Sequence, residues 1–220
     1  MGTRLVVVGG DAAGMSAASQ ARRLRPDLEI VALEKGRWTS YSACGIPFLV
    51  GGEVGSLDDL VVRGPREFRE RYRIDARTGH EVTAVDLDRR QVEVRDLRHD
   101  RTYKLGFDLL HLATGARPVR PDLPGIDAAH VHGVQTLDDA AELLEAVEAG
   151  GVRQVVVVGG GYIGLEMAEA LLLRGCSSVT VVEQAPEILG AIDADMGALV
   201  SRAMRAMGIE VRTGVAVTGV

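Results

Sequence analysis

Three groups of residues in the sequence could do chemistry, and the first is a single cysteine. Cys44 lies among small residues in the stretch SYSACGIPF, residues 40–48. The other cysteine, Cys176, is far away in the sequence, and no CxxC pair occurs. This argues against a disulfide framework and against a thiolate metal site. Cys44 is therefore either a reactive thiol or a small buried side chain, whereas Cys176 is predicted to be structural.

The second group is a glycine-rich turn near the N-terminus. The apolar run Arg4–Val8 ends at Gly9–Gly14, GGDAAG, and a helix is expected to follow. The next predicted strand ends on Glu34, twenty residues after Gly14. Small residues let the backbone approach a pyrophosphate at a helix N-terminus, and a glutamate at this distance accepts from a ribose hydroxyl. Because Asp11 replaces the middle glycine of the G-x-G-x-x-G pattern, an ordinary strand-to-helix turn stays open as the alternative.

The third group repeats the pattern without that departure. The buried run Val155–Val158 leads into Gly159–Gly164, GGGYIG, then a helix, then a strand that ends on Glu183. This is the full context that the dinucleotide fingerprint demands. Glutamine and alanine, not arginine, follow Glu183. A carboxylate there accepts from a free 2′-hydroxyl and repels a 2′-phosphate, so NADH is predicted and NADPH is less favoured. The residues expected to bind it are Gly159, Gly161, Tyr162, Ile163, Gly164 and Glu183.

One cofactor cannot occupy two sites, and the economical interpretation is FAD in the first and NADH in the second. Hydride would then pass from the nicotinamide to the flavin, with Cys44 as the next acceptor.

The elements that position these groups predict an α/β fold. It has two Rossmann-like dinucleotide-binding units and an antiparallel β-meander, which the short alternating segments predict over about residues 79–112. Strands are also expected at 209–212 and 215–220. Since nothing packs beyond the last of these, the second unit is expected to be incomplete at its C-terminus. The predicted division is an FAD-binding domain over residues 1–116 and an NAD-binding domain over residues 117–220.

Composition limits the remaining classes. A formal net charge of −6 and a pI near 5.4 argue against a general nucleic-acid partner. No run reaches the roughly 20 apolar residues of a membrane helix, so no membrane partner is expected and the cytoplasm is predicted. The histidines lack metal-ligand spacing, and no metal is predicted. A local basic cluster is interpreted either as a solvated helix face or as a landing site for a phosphorylated substrate; it comprises Arg63, Arg66, Arg69, Arg71 and Arg73.

Four stretches together resemble the N-terminal part of the flavin-dependent pyridine nucleotide-disulfide oxidoreductases: VVVGGDAAGMSAASQARRL, SYSACGIPF, LATGARP and VVVVGGGYIGLEMAEAL. The resemblance is to the single-cysteine branch, which includes coenzyme A disulfide reductase, NADH oxidase and NADH peroxidase. It implies that the FAD contacts are Gly9, Gly10, Ala13, Gly14, Glu34, Lys35, Val82, Ala113, Thr114 and Gly115. Asp11 is common in this branch, so it weakens the generic pattern more than the family assignment.

The resemblance also implies the chemistry of Cys44, which would alternate between a thiolate and a mixed disulfide with coenzyme A. Pro47 is compatible with a helix start beside it, whose dipole favours the anion. The implied coenzyme A contacts are Ser16, Gln20, Arg23 and Ser40. Ala43 stands where some members carry an amide, which leaves an oxidase, a peroxidase or a polysulfide reductase as alternatives. The family is longer and dimeric, so a homodimeric parent is expected. The rival from another class is a non-catalytic flavin-binding module or redox sensor.

Overall fold

The computed structural model describes residues 2–149 and 151–220 of the chain. The helices are α1 (Ala12–Leu24), α2 (Ile46–Gly51), α3 (Pro65–Tyr72), α4 (Leu137–Glu148), α5 (Tyr162–Leu173) and α6 (Ala194–Ala206). The strands are β1 (Arg4–Val8), β2 (Glu29–Glu34), β3 (Ile74–Thr78), β4 (His80–Asp86), β5 (Gln91–Asp96), β6 (Arg101–Gly106), β7 (Leu109–Leu112), β8 (Gln154–Val158), β9 (Ser178–Glu183) and β10 (Glu210–Thr213). Short 3-10 turns at Ala43–Gly45 and Leu57–Leu60 precede α2 and α3.

The chain divides into two compact units. The first contains the chain up to Ser42 together with Asp58–Arg117, and the second contains Ala43–Leu57 together with Pro118–Val220. The predicted fold class is confirmed, since parallel sheets with helices are combined with an antiparallel sheet. The assignment of FAD to residues 1–116 and NAD to residues 117–220 stays a prediction.

The first unit is built on a four-stranded parallel sheet in the order β3-β2-β1-β7. β1 lies inside it, and its continuous apolar run is typical of a strand that is covered on both faces. Val6 and Val7, which point to opposite faces, have no exposed surface. α1 and α3 cover one face through Met15 and Phe68, and the meander covers the other through Val92 and related side chains.

The meander consists of β4, β5 and β6, paired in that order. Its last turn is organised by Asp96, a buried carboxylate. Asp96 accepts hydrogen bonds from His99 Nδ1 at 2.9 Å and from Arg101 Nε at 3.0 Å. Burial alone raises the pKa of Asp96, but these bonds and two from backbone amides outweigh it and hold the pKa well below the ordinary value.

Two predictions in this unit are corrected. The meander ends at Gly106 and does not reach residue 112, because β7 joins the parallel sheet beside β1. The run LLHL of β7 does not indicate its neighbour, since local periodicity does not determine which strand pairs with which. In addition, β3 was not predicted. Asp75 and Arg77, on the face that the meander covers, are charged and pair with each other at 2.6 Å, so they hide the apolar alternation.

The second unit contains a three-stranded parallel sheet in the order β10-β9-β8. α5 buries Leu165, Ala168 and Leu171 in this unit, and α2 packs against α5. α4 begins with a capping box, in which the side chains of Thr136 and Asp139 each accept from the other residue's backbone amide.

The predicted strand 215–220 is wrong. These residues have no assigned strand, although Val215 donates to the carbonyl of Glu183 at 3.1 Å and Val220 to that of Pro124 at 2.9 Å. The alternating valines satisfy the strand pattern, but a strand also needs a neighbouring strand to bond. Within the described ranges, no helix combines the length and apolarity that crossing a membrane requires.

Candidate functional site

The first glycine turn forms a cradle at the carboxyl end of β1. Gly9 has a φ of +110°, which a residue with a side chain rarely adopts, and its amide donates to the carbonyl of Leu33 at 2.8 Å. A Cβ on Gly14 would overlap the carbonyl oxygen of Gly9. These two glycines therefore allow the first turn of α1 to pack directly on the turn. The exposed amides of that first turn, which includes Ala13, are suited to an anion such as a pyrophosphate.

Glu34 closes this cradle at the end of β2. Its Oε2 accepts from the amide of Gly10 at 2.6 Å, and its Oε1 accepts from the amide of Gly36 at 2.7 Å. A carboxylate has further lone pairs, so a ribose hydroxyl can still donate to it. The neighbouring Lys35 forms an ion pair with Glu81 at 2.7 Å. Glu34 is thus held in place before any ligand arrives.

The remaining predicted FAD residues are spread over two further segments. Ala113, Thr114 and Gly115 directly follow β7, and the amide of Ala113 donates to the carbonyl of Val8 at 2.7 Å. They therefore lie at the same edge of the parallel sheet as Gly9. Val82 lies on β4, next to a register shift, and packs against the core between the meander and the sheet.

The second glycine turn forms a matching cradle at the end of β8. Gly159 has a φ of +109°, and a Cβ on Gly164 would overlap the Gly159 carbonyl oxygen. Glu183 Oε2 accepts from the amide of Gly160 at 2.8 Å, and its Oε1 accepts from that of Ala185 at 2.8 Å. The other predicted residues start the helix behind it: Gly161 is its N-cap, and Tyr162 and Ile163 are exposed at its first turn.

The two cysteines differ in their environments. Cys44 lies in the 3-10 turn before α2, and its thiol is exposed, so the interpretation as a buried side chain is wrong for this structure. Pro47 occupies the first turn of α2, as predicted. Cys176 is buried, and burial raises the pKa of its thiol. Because the thiolate is the nucleophile, Cys44 is the better placed of the two for sulfur chemistry.

Three of the predicted coenzyme A residues share one exposed face of α1. Ser16, Gln20 and Arg23 are spaced by four and three residues, which places them on one side of a helix. Arg23 donates to the side-chain oxygen of Gln20. The fourth, Ser40, has a φ of +47°, and its amide donates to the carbonyl of Gly10 at 3.0 Å.

Three of the five arginines in the basic cluster pair with the two glutamates of α3. Ion pairs join Arg63 and Arg71 to Glu67, at 3.8 Å and 3.1 Å, and Arg66 to Glu70 at 3.9 Å. These contacts favour a solvated helix face over a landing site for phosphate.

Sequence reasoning missed the contact made by Asp11, which it treated only as a replaced glycine. The carboxylate of Asp11 accepts a hydrogen bond from the amide of Tyr41 at 3.2 Å. An alignment of the two halves on Glu34 and Glu183 would have found part of this contact. Ser40 and Leu189 are each the sixth residue after the glutamate, and both have a positive φ and donate to the carbonyl of the second glycine of their turn.

A model of the family described as pyridine nucleotide-disulphide oxidoreductase matches residues 3–220. An NADH oxidase from Methanocaldococcus jannaschii is 37% identical over 210 residues, which cover 94% of this chain and 46% of that protein. A CoA-dependent NAD(P)H sulfur oxidoreductase from Pyrococcus abyssi is 38% identical over 185 residues, which cover 84% and 40%. A coenzyme A disulfide reductase from Staphylococcus haemolyticus is 30% identical over 197 residues, which cover 90% and 44%.

Solved structures agree with these matches. Reduced CoADR-RHD from Bacillus anthracis superposes with a TM-score of 0.96 at 31% identity, over 100% of this chain and 39% of that one. An NAD-dependent persulfide reductase from A. fulgidus gives 0.94 at 36% identity, over 99% and 41%. The chain thus spans less than half the length of each of these relatives.

Proposed function

The chain belongs to the pyridine nucleotide-disulphide oxidoreductase family, and from this premise we propose that its protein passes electrons from NADH through FAD to the thiol of Cys44, which reduces coenzyme A disulfide. Members of the family are FAD-containing NAD(P)H oxidoreductases. The coenzyme A disulfide as substrate, the individual site residues and the homodimeric parent are parts of the proposal.

The observation that carries the proposal is the presence of two matching glycine cradles in one chain. Each has a glycine at positive φ, a second glycine that permits close packing of the following helix, and a glutamate bonded to two backbone amides. A protein that binds two dinucleotides can transfer a hydride between them. A single-dinucleotide enzyme would have no use for the second cradle.

The first cradle fits the FAD of this proposal. The space that a Cβ on Gly9 or Gly14 would occupy is filled by backbone, so the chain is already at its closest approach. The free amides of the first turn of α1 would bind the pyrophosphate, and Glu34 would accept from the adenosine ribose. When bound, the flavin supplies two-electron chemistry between a nicotinamide and a thiol.

The second cradle fits NADH better than NADPH. Glu183 would accept from the ribose 2′-hydroxyl, whereas a 2′-phosphate would meet its negative charge. Gln184 and Ala185 offer no cation to offset that repulsion.

Cys44 carries the sulfur chemistry of the proposal. Its thiolate would attack one sulfur of the substrate disulfide, forming a new disulfide with one coenzyme A and releasing the other as a thiol. Two electrons then break the mixed disulfide, which releases the second coenzyme A and restores the Cys44 thiolate. One NADH and one proton are consumed, and two thiols are formed.

A second candidate is an NADH oxidase or a sulfur or persulfide reductase. The relatives with 37% and 38% identity carry these activities in their names, while the named coenzyme A disulfide reductase is 30% identical. The same exposed Cys44 would then cycle through a sulfenic acid or a persulfide.

The test compares Cys44→Ser with Cys176→Ser, which removes the buried thiol and serves as the matched control. Purified protein is examined for a flavin spectrum, reduced anaerobically with NADH or NADPH, and given coenzyme A disulfide while free thiols are counted. We expect two thiols per NADH, faster reduction by NADH than by NADPH, and a loss of about a hundredfold or more in Cys44→Ser. Cys176→Ser should remain within about twofold of the unaltered protein.

The alternatives are separated by changing the electron acceptor. In a parallel aerobic assay, oxygen consumption without thiol release would indicate an oxidase, and with polysulfide as the acceptor, release of hydrogen sulfide would indicate a sulfur reductase. Bound flavin with no turnover of any acceptor would favour a non-catalytic sensor. Full activity in Cys44→Ser would refute the cysteine mechanism.

A further inference from the structure

Asp11 occupies the position that Gly161 holds in the second cradle. Both residues are N-caps with an extended backbone, with φ of −101° at Asp11 and −76° at Gly161. Neither position requires a glycine conformation, and a Cβ on Gly161 would have nothing within 4 Å in the described chain. The backbone at this position therefore does not require the Asp11 side chain, and the contacts of that side chain need an explanation of their own.

That side chain does not cap its helix in the usual way. An aspartate at the N-cap normally accepts from the second or third amide of the helix, but Asp11 makes no such bond. Its Oδ1 instead accepts from the amide of Tyr41, thirty residues further along the chain. The carboxylate also accepts from the amide of Ala12, but it leaves the second and third amides of α1 for an anion, and it holds a distant segment.

The segment is Ser40–Ser42, here called the strap, which runs directly into the turn that contains Cys44. The amide of Ser40 donates to the Gly10 carbonyl at 3.0 Å, and the amide of Ser42 donates to the Leu60 carbonyl at 2.8 Å. Between them, the amide of Tyr41 is held by the Asp11 carboxylate. All of these residues lie in the first unit.

The second half repeats one of these bonds and cannot repeat the other. Leu189, the counterpart of Ser40, has a φ of +54° and donates to the carbonyl of Gly160 at 2.8 Å. Gly161 has no side chain with which to hold the next residue. The additional tether thus occurs in the half whose strap leads to the exposed cysteine.

We propose that Asp11 is a positioning residue, whose carboxylate ties the strap to the phosphate-binding turn and so restrains the segment from which the chain continues to Cys44. This rests on the proposed function only in assigning Cys44 a redox role. The pKa of Asp11 is raised, chiefly by burial and further by the nearby Glu34 carboxylate. Hydrogen bonds from the amides of Tyr41 and Ala12 lower it, but by less. The tether should consequently weaken as the pH falls through that raised pKa.

Three substitutions separate the tether from other roles of Asp11. Asp11→Asn keeps an acceptor oxygen at the same distance, and Asp11→Ala removes it. Asp11→Ser supplies a good helix cap, but its oxygen lies one bond closer to the backbone and falls short of Tyr41. If Asp11→Ala fails to fold, Asp11→Ser carries the comparison.

The direct readout is amide hydrogen exchange of the strap in the full chain, which requires neither cofactor nor substrate. In Asp11→Ala and Asp11→Ser we expect the Tyr41 amide to exchange about tenfold faster, the effect of losing a hydrogen bond to a charged acceptor. The Ser40 and Ser42 amides, which bond to carbonyls, should change by less than about threefold. Asp11→Asn should restore most of the Tyr41 protection. Unchanged exchange at Tyr41, or equal acceleration of all three amides, would overturn the tether.

The second readout is the rate at which iodoacetamide alkylates Cys44, measured across pH with Cys176→Ser as the background. A loosened strap should make alkylation about threefold faster or more in Asp11→Ala and Asp11→Ser, with rescue by Asp11→Asn. Equal rates in all four proteins would refute positioning. These results do not depend on turnover, so a failed tether and a failed redox role of Cys44 are distinguishable.

Discussion

Gly9 and Gly159 have φ angles of +110° and +109°, and each donates its amide to the carbonyl that precedes the glutamate of its own cradle. The two glutamates then make the same pair of backbone hydrogen bonds, within 0.2 Å of each other at the second glycine, 2.6 Å against 2.8 Å. Two stretches with different intervening sequences thus form the same set of backbone hydrogen bonds with nearly the same glycine φ.

The surroundings of the two cradles are not alike. β1 pairs with a strand on each side, whereas β8 pairs with β9 alone in the described chain. Val156 and Val158 are 60% and 61% exposed, while Val6 and Val7 are fully buried. The comparison teaches that glycine φ angles and one glutamate set the cradle locally, since its backbone is the same whether one or two strands of this chain flank it.

The largest expected difference between the cradles is in the free energy of unfolding that is lost when the first glycine is replaced, in Gly9→Ala and in Gly159→Ala. Both force an alanine into a positive φ, which costs about 1–3 kcal/mol. At Gly9 the new Cβ would also overlap the carbonyl of Ala113 on the strand side, whereas at Gly159 it meets nothing within 4 Å. We expect a loss in free energy of unfolding of about 4 kcal/mol for Gly9→Ala and about 2 kcal/mol for Gly159→Ala.

Urea unfolding measures both losses, with the fluorescence of Trp38 reporting on the first unit and circular dichroism on the whole chain. Equal losses would mean that the backbone after β7, at Ala113, does not constrain Gly9 and that the two cradles do not differ in packing at this glycine.

The next expected difference is in the pH dependence of stability. The first unit contains the meander and its buried carboxylate Asp96, which the second unit lacks in the described chain. The folded state holds the pKa of Asp96 below the ordinary value of 3.8, so the charged form stabilises the fold above that value and the contribution is lost as the pH falls through the lowered pKa. Asp96→Asn should therefore lower the unfolding temperature by several degrees at pH 7. The gap to the unaltered protein should narrow below about pH 4. His80 faces the same carboxylate at 3.9 Å and, when protonated, adds to its stabilisation.

Thermal unfolding at a series of pH values tests this, with Asp100→Asn as the control. Asp100 is exposed and pairs with Arg95 at the surface, so its substitution should have little effect at any pH. A gap for Asp96→Asn that is independent of pH would indicate lost packing and not lost charge.

Which features the sequence predicted depends on whether their cause is local. The glycine turns, Glu34 and Glu183 follow from spacing, because the chain between glycine and glutamate is one helix and one strand of nearly fixed length. The parallel partner of β7 and the absence of a strand at 215–220 depend on neighbours that periodicity does not specify. Asp11 was misjudged for the same reason, since its partner Tyr41 is set by the path of the strap.

The smallest expected difference in stability comes from the residue after each glutamate, Lys35 in the first cradle and Gln184 in the second. Lys35→Gln gives the first cradle the residue that the second has at Gln184 and removes the ion pair with Glu81, whose carboxylate has its pKa lowered chiefly by the hydrogen bond from Lys35. Lys35 is largely exposed, so the loss in unfolding free energy should be about 0.5 kcal/mol or less, and it should vanish near 1 M salt as screening removes the attraction. The reciprocal Gln184→Lys should bring no gain, because the described part of the second unit has the sheet β10-β9-β8 and no meander of its own to supply a partner carboxylate. A loss well above that figure that persists in high salt would show that Lys35 packs against the meander through its alkyl chain, and the two cradles would then differ in packing at this position as well.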